Sequence, residues 1–322
     1  MRLFLALLLA VGLTNTSNVS VCRAQAVANQ AVAAKAPASD PQVQTVAAQA
    51  PAAGPQAPAP LLPDDPLLRG LDANLYMQTS AEYRAACYQA YNLALLKLKL
   101  AYAAAENRDA EKTNTEKRDA RPMAGVMDLD ETVLDNAGFQ AMQLRSGIAY
   151  DQRLWDLWEE RHSEHLALVP GAKEFILAAE QMKFQIFHIS NRNDKFKAPA
   201  KAALARLGIP AASDDHLKFA TTTSDKTARR AEVEAKFHVV LYIGDNLRDF
   251  DDKFKSPKLE AKSTPAELEA AIQTRKAAVD ADRTKFGEKF ILLPNPAYGE
   301  WTKPLGRGKR DLDRLAPQLK NP

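Results

Sequence analysis

The stretch GVMDLDETVLDN at 125–136 sets Asp128, Asp130, Glu131 and Asp135 close together directly after an apolar approach. Further along, the apolar run FQIFHIS at 184–190 ends on Ser190. The run HVVLYIGD at 238–245 ends on Asp245, and Asp249 follows in GDNLRDF. Carboxylates massed at the ends of such runs repel one another, which raises their pKa values unless a cation lies between them. A hard divalent ion meets that demand. Mg2+ suits it, because it takes a few carboxylates and keeps positions for phosphate and water. The spacing excludes an EF-hand calcium loop, since the sixth position counted from Asp128 holds the β-branched Val133 where glycine is required.

These residues share a site only if the runs that carry them are neighbouring strands. Strands are predicted at 123–128, 184–190 and 238–245, with weaker ones at LKFAT and at 289–294. Helical patterns separate them at Gln152–His165, Ala172–Met182, Lys197–Leu207 and Asp225–Lys236, and an amphipathic helix covering the sheet is expected over 263–283. A long helix precedes them all in SAEYRAACYQAYNLALLKLKLAYAAA, with Ser80 as its N-cap. Strands alternating with helices predict an α/β fold, a parallel sheet with helices on both faces. Ligands bind such sheets at the carboxyl ends of the strands, where Asp128, Asp130, Ser190, Asp245 and Asp249 would face one crevice.

The rest of the chain frames this domain. Of 322 residues 46% are hydrophobic, enough for a substantial core, and a net charge of +3 offers no basic field for a nucleic-acid polymer. Arg2 precedes LFLALLLAVGL, too short to span a bilayer but of the length and position of a signal-peptide core. Residues 1–26 are therefore expected to be a signal peptide cut after Ala26, giving a periplasmic or secreted protein. The alternative is an outer-membrane lipoprotein anchored through Cys22, although Val21 is larger than a lipidation signal usually has at that place. Cutting after Ala26 leaves Cys87 as the sole cysteine, so no intramolecular disulfide can form. Residues 27–63 are rich in Ala, Gln and Pro and read as a disordered or polyproline-like tether, with the folded domain spanning 64–322.

Taken singly, several of these residues have ordinary readings. An isolated Asp-x-Asp is a helix cap or a solvated turn, and an isolated Lys226 is a surface lysine, as Asp225, Arg229 and Lys236 are read to be. His162, His165, His188, His216 and His238 lack metal-ligand spacing with cysteines and read as structural or surface residues. NRDAEKTNTEKRD reads as a solvated connection.

Taken in order, DLDET at 128–132, SNR at 190–192, Lys226 before a helix and GDNLRDF at 244–250 resemble the four-motif set of haloacid dehalogenase-like phosphohydrolases. The segments SAEYRAACYQAYN, WDLW, VPGAKEF and FGEKFILLPNPAYGEW are further similar to the class C acid phosphatases, exported bacterial phosphatases and 5′-nucleotidases of the lipoprotein e family. The likeness runs from about Leu75 to Trp301, with His188 standing where the family more often has an aromatic or aliphatic residue. It implies a Rossmann-like parallel sheet with a small, mostly helical cap region, and Mg2+-dependent hydrolysis of small phosphomonoesters such as nucleoside monophosphates. Asp128 would be the nucleophile that becomes an aspartyl-phosphate, and Asp130 the general acid and base, its pKa raised by the crowded acids. Thr132, Ser190, Asn191 and Lys226 would hold the phosphate, Thr132 also supporting the loop, while Asp128, Asp130, Asp245 and Asp249 would serve the metal. By position, Trp155 and Tyr298 match the two aromatics that sandwich the base in nucleotide-hydrolysing relatives; Trp301 is read as packing that closes the domain. The same fold acting on sugar phosphates, aryl phosphates or phosphonates, a non-catalytic surface or periplasmic binding protein, and a homodimer all stay open.

Overall fold

A computed structural model describes residues 70–110, 119–210, 213–260 and 262–305. The expected signal peptide and tether, most of the connection at 107–119 and the chain after 305 lie outside the described residues.

Two helices open the domain, α1 at Leu71–Thr79 and α2 at Ala81–Ala110. Ser80 caps α2 as expected, its hydroxyl accepting the Tyr83 N–H at 3.0 Å. The remaining elements are β1 (Met123–Met127), β2 (Leu134–Asp135), α3 (Ala137–Ser146), α4 (Gln152–Arg161), β3 (Ala167–Leu168), α5 (Ala172–Gln181), β4 (Gln185–Asn193), α6 (Lys197–Arg206), β5 (Leu217–Ala220), α7 (Thr227–Lys236), β6 (His238–Gly244), α8 (Pro265–Ala281) and β7 (Phe290–Leu292).

Five strands form one sheet in the order β5-β4-β1-β6-β7, every pair parallel. β1 is the middle strand, and a parallel strand flanked on both sides must be apolar on both faces. Its sequence MAGVM meets that requirement, with four of its five residues buried. Two hydrophobic clusters carry the layers on the two faces. Met127, Leu241 and Ile243 pack with α2, α5 and α6, whereas Ala124, Val126, Val239 and Tyr242 pack with Val233 of α7 and with Ala278 and Val279 of α8. The β1–β6 register skips Val240, a bulge that offsets the side-chain alternation of β6 before the strand delivers Asp245.

Between β1 and α5 lies the small, mostly helical cap, made of α3, α4 and the antiparallel pair β2–β3. Phe139 and Trp158 anchor it to the core, the Trp158 indole N–H donating to Asn136 Oδ1 at 2.9 Å. The helix expected over Gln152–His165 stops at Arg161, because Arg206 of α6 takes the carbonyls of Ser163 and Leu166 at 2.7 and 2.8 Å and draws the chain into a 3-10 turn at Ser163–His165.

Candidate active site

Asp128 continues β1 by one residue, its backbone N–H donating to the Ile243 carbonyl at 3.0 Å. Its carboxylate meets Lys226, at the N-terminus of α7, whose Nζ lies 2.6 Å from Asp128 Oδ1 and 2.7 Å from Asp249 Oδ1. Asp249 is fixed on its other side as well, since its Oδ2 accepts the Asn246 N–H at 2.9 Å in a capping box. Asp245 sits beside them, Oδ1 receiving the Thr132 hydroxyl at 3.2 Å and Oδ2 the Asn295 amide at 2.8 Å.

Oxygen atoms of Asp128, Asp245 and Asp249 all fall within 4.8 Å of one another. Burial pushes Asp128 well above the usual carboxylate range, with Lys226 opposing and Asp249 and Asp245 adding to the rise. Burial, and then the Asp249 charge, raise Asp245 to about 7. Three carboxylates against one ammonium leave an excess of two negative charges, and a divalent cation fits that donor set.

Gly244 makes the cluster possible. A Cβ there would lie 2.4 Å from Asp249 Oδ2 and 2.5 Å from its Cβ, and the carboxylate cannot swing away without leaving Lys226 and the Asn246 N–H. Gly244→Ala should therefore lower stability by about 1–3 kcal/mol, the scale of overpacking, and cut turnover as well. A thermal melt and an assay that both match wild type would show that Asp249 is held elsewhere.

Asp130 occupies a different environment. Its Oδ1 takes Arg192 Nη2 at 2.7 Å, Arg192 Nε at 3.0 Å and Asn136 Nδ2 at 2.9 Å, whereas Oδ2 meets only the Ser190 hydroxyl and Arg192 Nε, each at 3.3 Å. Arg192 is almost wholly buried, at 1% exposure. The loop between these aspartates and β2 turns at Glu131, which adopts the left-handed region at φ 54°. That conformation is unfavourable for a residue with a Cβ. Bonds on both sides hold it: Glu131 N–H donates to Leu134 O at 2.7 Å, and its carboxylate accepts Asn136 N–H at 3.0 Å and the Tyr298 hydroxyl.

Two aromatic residues lie near this loop, Trp155 beside the Arg192 that binds Asp130 and Tyr298 against Glu131. Trp155 packs edge-on against Phe139 at 5.0 Å, donates to Glu159 at 2.5 Å and lies 5.8 Å from the Arg192 guanidinium. Tyr298 joins through its bond to Glu131.

The family model described as HAD superfamily, subfamily IIIB (Acid phosphatase), matches residues 71–301. The chain belongs to that family. Two solved structures of the class C acid phosphatase from Bacillus anthracis, one with tungstate bound, are each 32% identical with a TM-score of 0.61. The first covers 79% of this chain and 98% of its own, the second 80% and 99%. Membership makes this chain an acid phosphatase, a phosphomonoesterase acting on small phosphate esters, and the parallel sheet with its cap agrees.

Of the site residues expected in this acid phosphatase, Asp128, Lys226, Asp245, Asp249 and Thr132 come together. Ser190 is fully buried and turned to Asp130 and to the Arg192 N–H, while the Asn191 side chain is exposed and held by Arg229 at 2.8 Å. Asp130 has the Arg192 guanidinium as its immediate partner in place of the crowding acids expected from the sequence.

Two residues differ from expectation outright. Arg229 is no surface lysine-like cation but a strut, donating to the carbonyls of Ser190, Lys218 and Asp225. Trp301 is 43% exposed and donates to the Tyr298 carbonyl; the neighbouring Glu300, 4% exposed, closes this edge by bonding Arg248 and the Ser256 N–H.

Arg192, Glu131, Asn136, Asn295 and Glu159 were not anticipated. Arg192 stood in the SNR motif and Asn295 in LPNPAYGEW, but neither motif says which carboxylate each meets. Glu159 is buried beside Trp155, and burial raises it to about 7.

Proposed function

We propose that this acid phosphatase is an exported, Mg2+-dependent enzyme that hydrolyses nucleoside 5′-monophosphates through an aspartyl-phosphate. The observation that carries the mechanism is the buried group of Asp128, Lys226, Asp245 and Asp249 beside the Asp130–Arg192 pair. Asp128, Asp245, Asp249 and the Asp130 backbone carbonyl would serve the metal, which when bound neutralises excess charge and polarises the phosphoryl oxygens. Asp128 attacks phosphorus, and the P–O bond to the leaving group breaks. Asp130 gives its proton to the departing oxygen and then takes one from the water that attacks the acyl phosphate. Lys226 would hold the transferring oxygens, joined by the Ser190 hydroxyl once it turns from Asp130. Tungstate binds the Bacillus anthracis relative, and a tetrahedral oxyanion of that kind suits the same group here.

Nucleotide preference rests on Trp155, beside the Arg192 that binds Asp130, and on Tyr298, bonded to Glu131, between which a base would stack over the strand ends. Assays of purified protein on nucleoside monophosphates, sugar phosphates and a small aliphatic phosphate, with Mg2+ and with chelator, test the proposal. Activity should vanish with chelator, return with Mg2+ and favour nucleotides. Tyr298→Ala should weaken nucleotide use by about 1–3 kcal/mol, the scale of one base stack, and leave the aliphatic ester unchanged. A uniform loss together with a lower Tm would make Tyr298 only a strap for Glu131.

Export is supported by the apolar run after Arg2. N-terminal sequencing of the fractionated protein should begin at Val27. A lipid-modified start at Cys22 would replace the cleaved form with an anchored one.

A further inference from the structure

We propose that His162, Glu164 and His165 form a second metal site, for a transition-metal dication of the zinc class, where α4 ends. Glu164 Oε1 lies 3.6 Å from His162 Nδ1 and 3.3 Å from His165 Nε2, and all three ligand atoms fall within 4.8 Å of one another. A tetrahedral ion with bonds of about 2.0–2.1 Å sets its ligand atoms about 3.3–3.4 Å apart, and the two Glu164 spacings already lie near that value. The donor set decides the kind of ion. Two imidazole nitrogens and one carboxylate favour Zn2+, Ni2+ or Cu2+, whereas the all-oxygen group at Asp128 favours a hard ion.

The turn is organised in advance. Arg206 holds the Ser163 and Leu166 carbonyls, and the His165 N–H donates to His162 O at 3.1 Å. The buried Trp158 ring stacks on both imidazoles, at 5.8 Å from His162 and 6.2 Å from His165, which themselves stack at 5.8 Å. The side chains of His162, Glu164 and His165 are 45%, 56% and 61% exposed, so water can complete the coordination. Cysteine spacing could not reveal this site, because its ligands come from a single turn of HSEH.

Trp158 supplies a readout that does not depend on turnover. Tag-free full chain in excess Mg2+ is titrated with Ni2+, which quenches tryptophan at short range. Saturable quenching at micromolar Ni2+ is expected, reversed by Zn2+ at one equivalent per chain, with Zn2+ also raising the Tm. His162→Ala with His165→Ala should raise the quenching midpoint by more than about 100-fold, beyond what loss of an outer-shell partner costs, and abolish the Tm rise. Glu164→Gln, which keeps both rings, should raise the midpoint by less, and Asp128→Asn should leave it unchanged. An unchanged midpoint in both the double variant and Glu164→Gln, or quenching that Zn2+ cannot reverse, would overturn the site.

Discussion

Asp128→Asn should lose turnover by on the order of 10⁴-fold or more, as removal of a catalytic nucleophile does, while melting no lower than wild type in the absence of metal. The two halves have one cause. Asp128 is 9% exposed among Asp245 and Asp249, and its ionised form is disfavoured by burial. The neutral isostere removes one of the crowded charges and keeps a polar atom for Lys226, which still holds Asp249. Stability is therefore retained, whereas the amide cannot attack phosphorus. The variant is checked with a nucleotide assay and a metal-free melt. Near wild-type turnover would end the covalent mechanism; a collapsed melt would mean that the Lys226 pair holds the fold together.

Asp130→Asn should be slowed according to its leaving group. A general acid contributes about 10²–10⁴-fold where a poor leaving group must be protonated, so a ribose alkoxide should lose that much and a nitrophenolate little. The two oxygens differ in access: Oδ1 is saturated by Arg192 and Asn136, and the sparsely bonded Oδ2 is the one left to face a leaving group. Equal losses on the two substrates would remove Asp130 from the acid role and leave it as the anchor of Arg192.

The strands were legible because a parallel sheet covered on both faces demands short, largely apolar runs, and MAGVM, QIFHIS and HVVLYIG are such runs. The residues gathered around Asp128 followed from the same rule, since strand ends share a crevice whatever lies between them. Contacts made by long side chains across the fold were not legible. Arg192 could have faced solvent until β4 was seen to carry its guanidinium onto Asp130, and Arg229 reaches three carbonyls on separate segments. Glu131 looked like one more acid in DLDET; only its backbone angle and the Tyr298 hydroxyl show that it shapes the loop. The Trp301 reading failed because ring size suggested burial, whereas Glu300 had cations and an N–H waiting for it inside.

Among the described residues β1 is the first strand and the middle one in space, so the ribosome delivers Asp128 long before Lys226, Asp245 and Asp249. Lys226 follows 98 residues later, and Asn295 comes 50 residues after the Asp245 it holds. Tyr91, whose hydroxyl binds the Thr132 carbonyl at 2.5 Å, waits from the other direction. Pairings this distant must close large loops before any contact rewards them, which slows folding. A nascent or truncated chain therefore carries its nucleophile as an inert acid, and recovery of phosphatase activity during refolding should time the last event of assembly.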